Sequence, residues 1–227
     1  MSSPLINIKF NRRTMVKVLT KVRTILKNRE IVYLDMGSGE CTTTEFVVNV
    51  LKPKRVICVD IDERLLSRCH EKGFEVLQAD LNTESLPLEN DSVDFVTSFE
   101  VIEHLWNKDN MLREAYRILK QQGLFMLSTP NLAAWANRLL LLLGKTPYYY
   151  DVSPEKPLTK YGYGHVNLYT LELLKKHLTY HKFEVIEVHG LLTPLYKHFK
   201  LLELVTLLIA KDQPSLAPDI LILARKQ

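Results

Sequence analysis

The feature that most limits the fold is a recurrent alternation between short, continuously apolar runs rich in β-branched residues and longer stretches with helical periodicity. The runs fall at 31–36, 55–60, 74–79, 93–99 and 124–129. A strand with one face in water alternates apolar and polar residues, whereas an unbroken apolar run implies burial on both faces, as in a parallel sheet between two helix layers. Helical patterns at 43–51, 63–72 and 110–120 separate the runs, and Gly123 follows the last of them as a turn or cap. The order is βαβαβ and onward. It predicts a doubly wound, mostly parallel α/β sheet, completed to seven strands by runs at 183–189 and 219–225. Ligands of such sheets lie at the carboxyl ends of the strands, near the point where the strand order reverses.

The chain of 227 residues, 46% hydrophobic and 25% charged, lies in the range of one sizeable globular domain. No domain boundary is placed. The last two strands are needed to complete the sheet, and residues 131–168 read as an insertion of helix and loop after strand five, over its top edge. Apolar helical stretches at 132–143 and 196–210 flank a helix expected at 170–181. The longest apolar stretches, 139–143 and 204–210, fall well short of the roughly 18 to 20 residues that span a bilayer. Cys41, Cys58 and Cys69 form no CxxC pair and stand at no metal-ligand spacing with the histidines, so neither a disulfide framework nor a metal site is expected. A reducing, cytoplasmic setting fits that pattern.

The net charge of +4 is concentrated at one end, where residues 1–30 hold eight Lys or Arg against one acid. Met15, Val18, Leu19, Val22, Ile25 and Leu26 follow helical spacing, with Arg13, Lys17, Lys21 and Lys27 off the apolar face. The plain reading is a helix packed on the domain with a solvated basic face. A transit peptide is the competing one. Phosphate contact is a further use of such a helix.

Three strand ends carry chemistry. The first run closes in Asp35-Met36-Gly37-Ser38-Gly39-Glu40 before a helix near Thr42, and the two glycines let the backbone turn sharply and approach a ligand without a Cβ in the way. The second ends at Asp60, placed to accept hydrogen bonds from the two hydroxyls of a ribose; an ordinary strand-end acid is the alternative. A dinucleotide turn wants a third glycine where Thr42 stands, and Asp35 suits a ligand bearing an ammonium group better than a pyrophosphate, which it would repel. The third strand runs into Asp80 and Leu81, and the fourth ends in Phe99-Glu100-Val101-Ile102-Glu103-His104.

The series LDMGSGE, VICVDID, LQADL, LPLENDSVDFV, FEVIEHL, REAYRILKQQG and FMLSTPN, in that order, resembles the small-molecule branch of class I S-adenosylmethionine-dependent methyltransferases. Ubiquinone-pathway O-methyltransferases and the type 11 and 23 methyltransferase domains are similar. The likeness is dense over 31–131 and looser over 164–189. It implies a Rossmann-like fold with S-adenosylmethionine as cofactor. Asp35, Gly37 and Gly39 would line the methionine moiety, Asp60 the ribose, Asp80 with Leu81 the adenine, and Phe99 with Glu100 the sulfonium end, with Ile61 also among the cofactor-binding residues. Cys41 stands where such turns often carry a third glycine.

Methyl transfer needs a general base only when the acceptor is a hydroxyl or a protonated amine, and His104 and His165 are the candidates. Each has a structural alternative, His104 as a residue steadying the strand-four turn and His165 as an anchor for the following loop. Residues 131–168 and 190–210 are expected to form the acceptor side, with 131–168 as a mobile cover. Trp135, the leucines of 139–143, Tyr148, Tyr149, Tyr150, Tyr161 and Tyr163 suit a small hydrophobic or lipid-like acceptor, or contact with a membrane surface. A nucleic-acid substrate is disfavoured, because the Asn/Asp-Pro-Pro-aromatic signature of amino-group DNA methyltransferases is missing after strand four. Two other classes stay open: a nicotinamide-dependent oxidoreductase and a non-catalytic cofactor-binding or scaffold protein.

Overall fold

The computed structural model describes residues 8–27, 30–147, 165–192, 206 and 213–227. Seven strands form one sheet: β1 (Val32–Met36), β2 (Arg55–Asp60), β3 (Glu75–Gln78), β4 (Val93–Phe99), β5 (Leu119–Pro130), β6 (Phe183–Leu191) and β7 (Asp219–Lys226). Their order across the sheet is β3-β2-β1-β4-β5-β7-β6. The first five run parallel, and β7 lies antiparallel between β5 and β6. The helices are α1 (Ile8–Ile25), α2 (Thr42–Leu51), α3 (Glu63–Glu71), α4 (Lys108–Ile118), α5 (Trp135–Leu142) and α6 (Leu171–Tyr180). This is the doubly wound, mostly parallel sheet that the apolar runs require.

The runs are continuous because successive side chains serve two cores. Leu34, Met36, Val96, Phe125 and Leu127 point to one face of the sheet, and Tyr33, Phe95, Leu124 and Met126 to the other. On that second face Met15, Val18, Leu19 and Val22 of α1 are fully buried, while Arg13 and Lys17 remain exposed. Asn11 fixes the helix further: its side chain donates to Leu192 O (2.9 Å) and accepts from Leu192 N (2.8 Å). The basic helix is thus an integral layer, with Lys21 paired to Glu187 of β6.

Two details depart from the sequence reading. β5 begins at Leu119, five residues earlier than its apolar run, and Gly123 lies inside the strand rather than capping α4. Between the pairings Val93–Leu119 and Phe95–Leu124 the ladder is irregular, with Gln122 left-handed (φ 63°). A Cβ on Gly123 would lie 2.7 Å from Lys120 O, so the glycine serves this bulge. The other departure concerns cysteine. Cys41, at the start of α2, and Cys69, at the end of α3, are joined by a disulfide across the top of β2, with Cα atoms 5.7 Å apart and the free Cys58 buried beside them. Spacing along the chain is blind to this, and the cysteines therefore lend no support to a reducing compartment. The helix expected at 196–210 lies, apart from Thr206, outside the described residues. Among the described residues no helix is long and apolar enough to cross a membrane.

The centre of the sheet is held by a buried charge. Asp35 of β1 accepts hydrogen bonds from Thr44 of α2 and Thr97 of β4, both at 2.6 Å, and Thr97 in turn accepts from the Tyr33 hydroxyl at 2.7 Å. Burial pushes the Asp35 carboxyl up to about 6 and outweighs the two hydroxyl donors that favour the ion. A raised carboxyl stabilises the fold fully below its ordinary value of 3.8, and that contribution is lost as pH rises through about 6. The stability advantage of the wild type over Asp35→Asn should therefore shrink between pH 4 and pH 7 by an amount on the order of 2–3 kcal/mol. Urea unfolding at the two pH values reads it; an advantage that is constant or grows with pH would contradict the assignment.

Candidate active site

The strand order reverses between β1 and β4, and the residues expected to bind a ligand gather at the carboxyl ends of these strands. Gly37 (φ 77°) and Ser38 both donate to Val59 O at the end of β2, at 2.8 and 3.0 Å, which folds the turn back over the sheet. A Cβ at Gly37 would collide with Val101 Cγ2, so glycine is needed there for close approach as well as for its dihedral. Gly39 (φ 53°) has open space where its Cβ would be, and its N–H donates to Asp60 Oδ2 at 2.8 Å.

Asp60 ties two loops together, because its other oxygen accepts from Asp62 N at 3.0 Å. Burial raises its carboxyl, while the backbone donors pull the other way. Each oxygen retains lone-pair capacity beyond these bonds. Ile61 beside it is 45% exposed, an apolar surface left open at the mouth of the cleft. Asp80 is occupied locally, with Oδ1 accepting from Asn82 N and Nδ2 at 2.8 Å each, and Leu81 is buried below. Asp35 lies beneath the turn, one oxygen accepting from Thr44 and the other from Thr97.

The end of β4 combines backbone strain with buried charge. Glu100 is left-handed (φ 56°), a conformation that costs a residue with a Cβ roughly 1–2 kcal/mol. Its N–H donates to Ser128 O (3.1 Å) and its carboxylate accepts from Ser128 Oγ (2.5 Å). Burial pushes this carboxyl up to about 7. A 3-10 turn over Ile102–His104 follows, and Glu103 points into the protein. Its Oε2 accepts from Thr129 Oγ1 at 3.0 Å; its buried Oε1 has no hydrogen bond among the described residues and lies 3.9 Å from His104 Nε2.

The segment after residue 164 returns to this turn. Val166 and Asn167 both donate to Glu103 O, at 2.8 and 3.0 Å, and Asn167 Nδ2 donates to Leu105 O at 2.5 Å. His165 is thereby set edge-on to His104, with ring centroids 4.8 Å apart. The two histidines singled out from sequence meet, and Glu103, which that reading passed over as a functional residue, stands between them and Thr129. The signal was available: an acid three residues beyond Glu100 and directly before His104.

Burial first, and then the Glu100 charge, push both Glu103 and Asp219 of β7 well above the carboxylate range. Three carboxyls in one buried space cannot all ionise without a compensating cation. One ligand atom each from Glu103, His104 and His165 lies within 4.8 Å of the others, an oxygen and nitrogen set that suits a divalent cation. Trp135, expected on the acceptor side, donates to Thr206 Oγ1 at 3.0 Å. The leucines 139, 141, 142 and 143 on and after α5 are exposed, Leu142 at 83%. Tyr148, Tyr149, Tyr150, Tyr161 and Tyr163 lie outside the described residues.

Comparison with known proteins agrees with this geometry. Residues 34–127 match the family model described as a methyltransferase domain. A probable S-adenosylmethionine-dependent methyltransferase of Mycobacterium tuberculosis is 41% identical over 100 residues, covering 43% of this chain and 35% of the relative. The chloroplastic 2-methyl-6-phytyl-1,4-hydroquinone methyltransferase of Spinacia oleracea is 30% identical over 102 residues, 43% of this chain and 29% of that one. The matched stretch spans about a third of the length of these curated relatives. Among solved structures, an S-adenosylmethionine-dependent methyltransferase from Mesorhizobium loti superposes with a TM-score of 0.62 at 20% identity, over 91% of this chain and 96% of that one. With the matched stretch running from β1 to β5 and the fold shared nearly end to end, residues 34–127 resemble a methyltransferase domain, and the chain has the fold of the class I S-adenosylmethionine-dependent methyltransferases.

Proposed function

We propose that the chain transfers a methyl group from S-adenosylmethionine to a hydroxyl of a small, apolar acceptor. The observation that carries the reading is the convergence of Glu103, His104 and His165 at the tip of β4, beside the glycine turn that Val101 touches. The residues present fit the cofactor: Gly37 and Gly39 leave room for its methionine part, and Asp60 keeps lone pairs for two ribose hydroxyls. Ile61 and Leu81, with Asp80, flank the base, and Phe99 and Glu100 stand at the sulfonium end. Asp35 acts from beneath through its charge rather than by contact. When bound, the cofactor supplies a methyl carbon on positive sulfur, open to in-line displacement.

The protein's share is alignment, exclusion of water and proton removal. Orientation alone is worth roughly 7 to 11 kcal/mol. His165 or His104 takes the proton of the acceptor hydroxyl, for a gain of about 10² to 10⁴.

An apolar acceptor is supported by the exposed leucines of α5 and by the relative from spinach, named for a hydroquinone with a phytyl chain. Arg138 and Lys145 bracket those leucines, a pattern suited to a membrane surface where such acceptors reside. In this reading the setting is cytoplasmic; of the cover expected at 131–168, residues 148–164 lie outside the described residues. S-adenosylmethionine and S-adenosylhomocysteine should raise the melting temperature, whereas NAD and NADP should not. Asp60→Ala should weaken S-adenosylhomocysteine binding by about 1.5–3 kcal/mol, or roughly 10- to 100-fold. Calorimetry on the folded variant checks this, and stabilisation by NAD alone would point to an oxidoreductase instead. With an alkyl hydroquinone on which the wild type turns over, His165→Ala should lower turnover by about 10² to 10⁴ at unchanged cofactor affinity. Unaltered turnover would make His165 a loop anchor, and cofactor binding without turnover of any acceptor would favour the scaffold reading.

A further inference from the structure

A second group of ligating side chains lies away from the cleft, at the seam of α4 and α6. His177 and His181 are one helical turn apart at the end of α6, so their rings share a face, with centroids 5.2 Å apart. Both Nε2 atoms point at one oxygen of Asp109, in the first turn of α4, at 2.8 and 2.7 Å. The three donor atoms lie within 4.8 Å of one another. Outside this triangle, His177 Nδ1 is bound to the Tyr169 hydroxyl at 3.0 Å.

We propose that Asp109, His177 and His181 bind a divalent transition ion of the Zn²⁺ class, with Tyr169 orienting the His177 ring from behind. Two imidazole nitrogens and one carboxylate oxygen are a borderline donor set that favours Zn²⁺, Co²⁺ or Ni²⁺ over Mg²⁺ and Ca²⁺. The carboxylate is the exposed member, at 42%, against 13% and 7% for the histidines. It gives the ion a path in and leaves a fourth position to water. Donor atoms of a tetrahedral site with bonds of about 2.0 Å stand about 3.3 Å apart, so Asp109 has to withdraw by about half an ångström, and it is the ligand with room to do so.

The proton balance is simple. Each neutral ring moves its proton from Nε2 to Nδ1 as Nε2 turns to the ion. At His177 that proton is then donated to the Tyr169 oxygen, the outer hydrogen bond that metal-bound imidazoles almost always make. The consequence reaches the active site, because Tyr169 O accepts from Leu132 N (2.8 Å) and the same short segment presents His165 to Glu103. A bound ion would clip α4, α6 and this segment together. The site stands on its own geometry and does not depend on the proposed methyl transfer.

The test uses the full chain stripped of metal and titrated with Zn²⁺ against a chromogenic chelator. Wild type and Glu103→Gln should bind alike, which separates this site from the cluster in the cleft. His177→Gln and His181→Gln should weaken binding by more than about 100-fold, and Tyr169→Phe by about 10- to 100-fold, as expected for loss of an outer hydrogen bond. No binding to the wild type, full affinity in His181→Gln, or loss in Glu103→Gln alone would overturn the proposal. Should a histidine variant fail to fold, imidazole ¹⁵N spectra of the unmodified chain decide: Zn²⁺ should move the His177 and His181 signals, and movement confined to His104 and His165 would overturn it.

Discussion

The buried carboxylate of Asp35 is the constraint on which the rest of the cleft depends. Its two oxygens are taken by hydroxyls from α2 and β4, so a single group fixes the helix that follows the glycine turn and the strand that brings Glu100 and Glu103. An ion so deeply placed is costly unless hydrogen-bonded, and the Thr44 and Thr97 hydroxyls, backed by Tyr33, supply those bonds. The turn above can then be held open: Gly37 lies against Val101, and Gly39 is anchored by Asp60.

The other side of the cleft is arranged under tension. Glu100, just after β4, adopts a left-handed backbone, and raised carboxyls of Glu100, Glu103 and Asp219 gather near the imidazoles of His104 and His165. Strain and raised carboxyls concentrate where charge is to be handled. Ser128 and Thr129, adjacent on β5, each satisfy one of the glutamates. The returning segment at 165–167 closes the space through backbone bonds to Glu103 O. The glycine-turn side is therefore built on backbone and carboxylate hydrogen bonds, and the side after β4 on carboxyls and imidazoles that call for a proton or a cation.

Much of this was legible in sequence, for reasons that can be named. Strands buried on both faces must be continuously apolar, so β1, β2, β4 and most of β5 stand out, as do the glycines whose dihedrals no other residue adopts cheaply. The start of β5 was hidden because Lys120, Gln121 and Gln122 are polar and belong to an irregular edge rather than to the core. Glu103 was passed over because its importance comes from His165, 62 residues on, which only the return of the chain brings near. Cys41 and Cys69 meet for the same reason, across the top of β2. His177 and His181 were visible as an i, i+4 pair, but their partner Asp109 lies on another helix and carries no local signal.

The account places the methyl-transfer centre between two turns, the one after β1 and the one after β4. A crystal structure of the protein grown with S-adenosylhomocysteine tests this most directly. The account predicts the ribose hydroxyls on Asp60, the amino acid part over Gly37 and Gly39, and the sulfur facing the side of the cleft where Glu103, His104 and His165 converge. A ligand bound elsewhere, or bound with its sulfur turned away from that group, would contradict it.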